Sequence, residues 1–434
     1  MTSPSLAQRL RHIYPGWLVV AAAFCGFFIE LGTTGWAFSV ILKPMSEDMG
    51  WTRSMSVGVI TIGGILAVGG AVLIGPLVDR YGARLFMVAG GALYGALLIA
   101  TSLVTSIWTF YLILGLGIAL ARPTLNIVAP SAAIANWFVR KRGRAYAVAV
   151  AGATMSGITL PPTILFIITS FGWRGGFVFL GLLTWVLIIP SAWFFVRRRP
   201  EDIGLRPDNL PPEAPDAAPE HDRADDPGWT PRQAVHTRAF WLVLGGIVAT
   251  QIPAATIYIH MVAFYNDRGF SVSAAVAAVS IYGVGALIAK PVWAVLAERW
   301  RIQRCLTLFA ATYAAGIALL VFALTPTTLY PVTFLLGFVV GGSMPLRAQV
   351  WPDYFGRRIA GTITGWGNIA QVIATAGGPL AAAWAFDTLG SYNPAFIVFD
   401  VLCVIGLILF ALAKPPTPPL PVPPAPLAEA QTAR

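Results

Sequence analysis

The stretch Gly75-Pro76-Leu77-Val78-Asp79-Arg80-Tyr81-Gly82-Ala83-Arg84 joins two apolar runs through a short charged turn. Glycines such as Gly75 and Gly82 suit close approach and a turn, and an acid such as Asp79 suits neighbouring helix ends and basic residues. The flanking runs, near 54–77 and 85–104, are predominantly apolar. At about 1.5 Å of rise per residue, about twenty such residues cross a hydrocarbon core of about 30 Å. The turn reads as the reversal between two membrane-crossing helices.

Further runs of the same kind lie near 17–42, 107–135, 144–168, 176–196, 239–266, 273–297, 305–325, 328–352, 360–386 and 394–413, so the sequence predicts twelve transmembrane helices. The composition agrees: 57% of the 434 residues are hydrophobic and only 11% are charged, with a mean hydropathy of +0.72. Soluble domains carry about a quarter of charged residues. Cys25, Cys305 and Cys403 fall inside apolar runs without paired spacing, which argues against a disulfide frame or a metal site.

An isoelectric point of 9.8 raises the possibility of nucleic acid, but the basic residues are distributed in another pattern. With the N-terminus inside, 22 of the 29 Lys and Arg residues fall in cytoplasmic segments and four, Lys43, Arg53, Arg174 and Arg268, in outer loops. That asymmetry is the positive-inside rule; it puts both termini in the cytoplasm and predicts a multi-pass protein of the cell membrane. The remaining three, Arg122, Lys290 and Arg347, lie inside predicted helices.

The two halves repeat. Asp79-Arg80 corresponds to Glu298-Arg299 at an offset of 219, Trp137-Phe138 to Tyr354-Phe355 at 217, and Gly172 to Gly390 at 218. Three landmarks at nearly one offset indicate a duplicated six-helix unit, the parallel repeat of one large class of secondary transporters. The predicted architecture is an all-α membrane protein of two pseudo-symmetric six-helix bundles. Residues 1–196 form the first and 239–414 the second, joined by a polar cytoplasmic linker at 197–238 and followed by a disordered, proline-rich tail at 415–434.

With this frame, Gly75–Arg84 resembles the cytoplasmic loop motif of the major facilitator superfamily. Most of the chain is similar to that superfamily's branch of monocarboxylate transporters and oxalate/formate antiporters. The similarity is carried by Pro15-Gly16-Trp17-Leu18-Val19-Val20, Gly50-Trp51-Thr52-Arg53-Ser54, Trp137-Phe138-Val139-Arg140-Lys141-Arg142-Gly143, His260 with Asp267-Arg268-Gly269, and Asp353-Tyr354-Phe355-Gly356-Arg357-Arg358. Two positions depart from similar eukaryotic carriers. Where those have an aspartate one turn before an Arg-Pro pair, this chain has Ala286 before Lys290-Pro291, and where they have a lysine late in the first helix, the nearest match is Trp36.

A carrier of anions needs fixed cations near the bilayer midplane. A charge in hydrocarbon costs at least about 3 kcal/mol, so such residues mark pathways. Arg122 offers a planar fork to a carboxylate, and Gly115, Ala119, Arg122 and Asn126 share one face of the fourth segment. Lys290 has no acid one turn back on its own segment, which makes a substrate its expected counter-ion. Arg347, six residues before Asp353, reaches the site, snorkels to the cytoplasm or gates the inner mouth.

Tyr282 and His260 complete the candidate substrate-binding set of Arg122, Asn126, Lys290, Arg347, Tyr282 and His260. Glu30 either carries protons or pairs with Arg122. Conformational roles are assigned to Asp79, Arg80 and Arg84 in the turn, and to Gly152, Pro161 and Pro379, which mark expected kinks at corresponding places in the two halves.

The expected function is secondary transport of a small organic anion, a mono- or dicarboxylate, by alternating access, with proton coupling and anion exchange both open. The alternative is an exporter of drug-like or neutral solutes held by Trp36, Tyr258, Tyr282 and Trp366; a remote one is a non-transporting membrane sensor. No nucleotide loop, metal cluster or nucleophile–base pair is legible, so neither enzymatic activity nor a cofactor is expected. The expected partners are the substrate anion, protons and the lipid bilayer, and not nucleic acid. The oligomeric state is left open.

Overall fold

The computed structural model describes residues 14–139, 141–209, 229–322 and 325–417. These are helical, with no strand among them. Twelve long helices follow one another: α1 Gly16–Met49, α2 Arg53–Tyr81, α3 Ala83–Thr101 and α4 Ile107–Trp137. The next run, Arg142–Phe195, is divided by Gly172 at φ 70° and ψ 176° into α5 and α6. The second half contains α7 Arg238–Asp267, α8 Val272–Arg299, α9 Ile302–Phe322, α10 Leu329–Phe355, α11 Arg357–Leu389 and α12 Asn393–Leu412.

The repeat is preserved in the local backbone. Gly390, which ends α11, has φ 69°, the counterpart of Gly172 at the end of α5. Both adopt a left-handed conformation that side chains with a Cβ resist. Close passage by small residues builds each half. A Cβ on Gly63 in α2 would lie 2.9 Å from the Gly115 carbonyl oxygen in α4, and one on Gly337 in α10 would lie 2.1 Å from the Tyr282 carbonyl oxygen in α8. In lipid, where apolar association gains little, such backbone contact holds helices together.

The outside of the molecule is apolar. Val72, Leu73 and Phe166 are 72%, 73% and 69% exposed, a surface suited to hydrocarbon rather than water. Cys305 and Cys403 are buried and Cys25 partly so, each as a free thiol.

The chain stays helical through Pro161 in α5 and Pro379 in α11, the positions of the expected kinks. Irregularity falls elsewhere, in π-helical turns at Gly32–Ala37 in α1 and at Tyr111–Gly115 and Arg122–Ile127 in α4.

The described ends of the linker dock on equivalent turns. Asp208 accepts the backbone N–H of Val139 at 2.8 Å and of Lys141 at 3.2 Å after α4. Trp229 packs edge-on against Phe355, at the end of α10, with ring centroids 5.5 Å apart. Residues 210–228 of the linker, most of the 415–434 tail, Arg140 and the Trp366 side chain lie outside the described residues.

Hydrogen bonds join the halves along three of the helix pairs between them. Tyr258 in α7 donates to the Leu31 carbonyl in α1 at 2.5 Å, Ser280 in α8 to Ile158 in α5 at 3.0 Å, and Thr61 in α2 to Ala376 in α11 at 2.9 Å.

Candidate functional site

Glu30 lies one residue before the end of the regular turns of α1 and is completely buried. Beyond it the π-helical turn begins, and the hydroxyls of Thr33 and Thr34 donate back to the Glu30 carbonyl at 3.2 and 2.8 Å. Arg122 opens the π-helical turn of α4. Its Nε donates to Glu30 Oε1 at 2.7 Å, while Asn126 Nδ2 donates to Oε2 at 2.6 Å. Both carboxylate oxygens are therefore held by one turn of α4. Such a buried pair offsets the cost of removing two charges from water only when its remaining lone pairs are hydrogen-bonded, as Asn126 does here. Of the two roles open to Glu30, the partner of Arg122 is the one formed in this state.

Next along α1, Trp36 lies in the seam between halves. Its Nε1 donates to the Ala153 carbonyl in α5 at 3.2 Å, and its ring centroid is 4.4 Å from that of Tyr258 and 5.6 Å from that of Tyr282. Three of the four aromatic residues named from the sequence thus form one cluster.

Lys290 is half-buried on α8. Its Nζ donates to the hydroxyl of Thr154 in α5, across the seam, at 2.5 Å. Among the described residues it makes no ion pair. Arg122 and Lys290 are engaged separately, the first by an acid and the second by a neutral hydroxyl. Arg347 borders a cavity within the second half, together with Thr250 and Gln251 of α7 and Ser343 of α10.

His260 is fully buried on α7 with both ring nitrogens occupied. Nδ1 is 2.9 Å from the Tyr392 hydroxyl and Nε2 is 2.9 Å from the Pro379 carbonyl. Neither nitrogen is free for a substrate in this state. Gly152 is a close-packing position: a Cβ there would lie 2.2 Å from the Phe24 carbonyl oxygen in α1.

Asp79 and Arg80 are exposed at the end of α2. The Asp79 carbonyl accepts from Arg198, just after α6, at 3.4 Å. Arg84 places its guanidinium 4.4 Å from the Trp193 ring in α6. The turn from which the sequence reading began is thus tied to the last helix of its own half.

Two groups were missed by sequence reasoning. Thr154, an unremarkable hydroxyl in a small-residue helix, becomes a partner of Lys290. Arg53, expected in an outer loop, is instead the first residue of α2 and is 8% exposed. A cation at the positive end of a helix requires a nearby acid, and that was the available signal.

The description Major Facilitator Superfamily fits a family model matching residues 17–379, with a second match over 254–433. The chain belongs to the Major Facilitator Superfamily. Within it, curated relatives include monocarboxylate transporters. Monocarboxylate transporter 11 of Mus musculus is 27% identical over 418 residues, 91% of this chain and 86% of that protein. Monocarboxylate transporter 1 of the same organism is 26% identical, over 91% of this chain and 84% of that protein. Over nearly its whole length the chain is thus similar to monocarboxylate transporters.

A solved structure of the superfamily fold, a bacterial homologue of the human lysosomal transporter Spinster described as inward-facing and unoccupied, aligns with a TM-score of 0.70. It is 12% identical, and the alignment covers 93% of this chain and 97% of that one. The protein is accordingly a multi-pass transporter of the Major Facilitator Superfamily. Its halves contact each other through α1–α7, α2–α11 and α5–α8.

Proposed function

We propose that this transporter carries a small organic monoanion, a monocarboxylate, between its two halves, with Lys290 as the cation that receives the carboxylate. The observation that carries the reading is the lone charge of Lys290 on the seam, hydrogen-bonded to Thr154 at 2.5 Å. Arg122 is neutralised by Glu30 at 2.7 Å. An intramembrane ammonium with a neutral partner favours an anionic ligand, since a counter-charge offsets the cost of holding it there. One positive charge matches one carboxylate. Trp36, Tyr258 and Tyr282, clustered where the halves meet, suit the apolar body of such an acid.

Transport proceeds by alternating access, with bundle 1–196 rocking against bundle 239–414 and the linker 197–238 joining them. By the positive-inside rule the Asp79 end and both termini face the cytoplasm of the cell membrane. The hydrogen bonds from Ser280 to Ile158 and from Arg53 to Asp267 then join the halves on the outer side, and the conformation is inward-facing.

Glu30 supplies a route to proton coupling. Protonation removes the charge that pairs Arg122, and a second anion or a second carboxylate then has a guanidinium to meet. In this scheme a dicarboxylate is carried only with a proton. Anion exchange needs Lys290 alone. In this reading Tyr282, which packs against Trp36, and Asn126 bound the site.

The aromatic cluster also favours a second reading, export of a neutral apolar solute. Counterflow in proteoliposomes separates the two. Exchange of labelled monocarboxylate that is lost in Lys290→Ala supports the first reading, and carboxylate exchange unaffected by that substitution would sink it.

A further inference from the structure

The polar contacts between halves are densest around the first turn of α2. Arg53 opens that helix, where the free N–H groups already carry partial positive charge, so a guanidinium there is destabilising on its own. The second half compensates for it. Asp387 on α11 accepts the backbone N–H of Arg53 at 3.0 Å and of Ser54 at 2.9 Å. These are the first two N–H groups of α2; the hydroxyl of Thr52, its own cap, accepts only the third, that of Met55, at 3.2 Å.

Asp267, at the end of α7, takes the guanidinium in two hydrogen bonds of 2.5 and 3.0 Å and lies 3.6 Å from Lys43. Phe386 stacks 3.7 Å beneath the same group. Two cations from the first half thus face two carboxylates from the second, and closure leaves no net charge in the cluster.

The contacts continue inward in one direction. The Tyr392 hydroxyl accepts from Arg53 Nη1 at 2.8 Å and so keeps its own proton for Nδ1 of His260 at 2.9 Å. Nε2 of His260 then carries the ring hydrogen and donates to the Pro379 carbonyl at 2.9 Å. His260, a candidate for substrate binding by sequence, becomes the inner end of this chain.

We infer that Arg53, Asp267, Asp387 and Tyr392 form a latch that holds this end of the transporter shut, and that Asp387 is a removable helix cap supplied in trans. The first turn of α2 is complete in the latched state and loses two N–H partners when the halves part. The inference rests on the proposed rocking of two bundles but not on the identity of the substrate. Its cost is specific: parting these helices takes the buried guanidinium of Arg53 from its acid and leaves two backbone donors without their cap, so the closed state is favoured without substrate.

The test is a distance measurement between spin labels on full-length protein in nanodiscs, without substrate. Labels are placed by Glu47→Cys and Leu389→Cys, both exposed positions at this end, after replacing Cys25, Cys305 and Cys403 by serine. The unmodified latch is expected to give mainly the short distance. Arg53→Gln and Asp387→Ala are each expected to raise the ratio of long to short populations about tenfold, as the loss of a helix cap or one charged contact implies.

The exchanged pair Arg53→Asp with Asp267→Arg is expected to recover part of the short population. If Arg53→Gln aggregates, Arg53→Lys, which keeps the charge but loses the fork, is expected to give a smaller shift in the same direction. Distance distributions unchanged in Arg53→Gln, or in Arg53→Lys where that variant replaces it, and in Asp387→Ala overturn the latch. Because no substrate is present, that outcome is independent of whether Lys290→Ala abolishes carboxylate exchange.

Discussion

Lys290 on α8 and Thr154 on α5 share a hydrogen bond of 2.5 Å across the seam between the two halves. The bond gives the ammonium a partner without neutralising it. A carboxylate entering the seam meets a cation that has no ion pair among the described residues.

Replacement of Lys290 by alanine is therefore expected to reduce carboxylate exchange about 10- to 100-fold, the equivalent of a charge-assisted hydrogen bond of about 1.5–3 kcal/mol. Lys290→Arg keeps the charge and is expected to retain more exchange than Lys290→Ala. Counterflow of labelled monocarboxylate in proteoliposomes measures both. A Lys290→Ala rate within twofold of the unmodified protein counts against the site.

Glu30→Gln leaves Arg122, whose side chain is 26% exposed, without its acid. Breaking a buried pair from one side costs about 3–5 kcal/mol, whereas removing both charges costs far less. The single variant is expected to melt well below the unmodified protein in detergent, and Glu30→Gln with Arg122→Gln to recover most of the difference. Equal melting temperatures for the single and double variants count against the pair as a structural unit.

His260→Ala removes two buried hydrogen bonds, to Tyr392 and Pro379. The expected loss of stability is about 1–3 kcal/mol, read as a lower melting temperature. The KM for carboxylate is expected to change by less than about twofold, on the ground that both ring nitrogens are already engaged. A large rise in KM with unchanged stability restores His260 to the substrate site.

Gly377 and Gly378, just before Pro379 in α11, differ in what surrounds them. A Cβ on Gly377 meets nothing within 4 Å, whereas one on Gly378 lies 2.7 Å from the Ile252 carbonyl oxygen and 2.7 Å from Thr256 Oγ1. Gly377→Ala is expected to leave transport intact and to stabilise α11 by up to about 1 kcal/mol. Gly378→Ala is expected to lower expression and melting temperature. Slow transport in Gly377→Ala, with its fold intact, assigns a hinge to that position.

Much of the architecture was legible in the chain because it depends on local or averaged properties. Apolar lengths near twenty residues set the crossings, and the repeated landmarks Asp79/Glu298, Trp137/Tyr354 and Gly172/Gly390 set two similar halves. Intramembrane charges flagged Glu30, Arg122 and Lys290 because hydrocarbon makes any charge costly. Their pairings were not legible. Glu30 and Arg122 are 92 residues apart, Lys290 and Thr154 are 136 apart, and Arg53 and Asp387 are 334 apart. The chain alone left Glu30 with two roles, gave Lys290 no partner and put Arg53 in a loop. Tertiary packing decided among these, since a buried charge takes the partner that the crossing helices bring within hydrogen-bonding distance, and sequence separation carries no information about that distance.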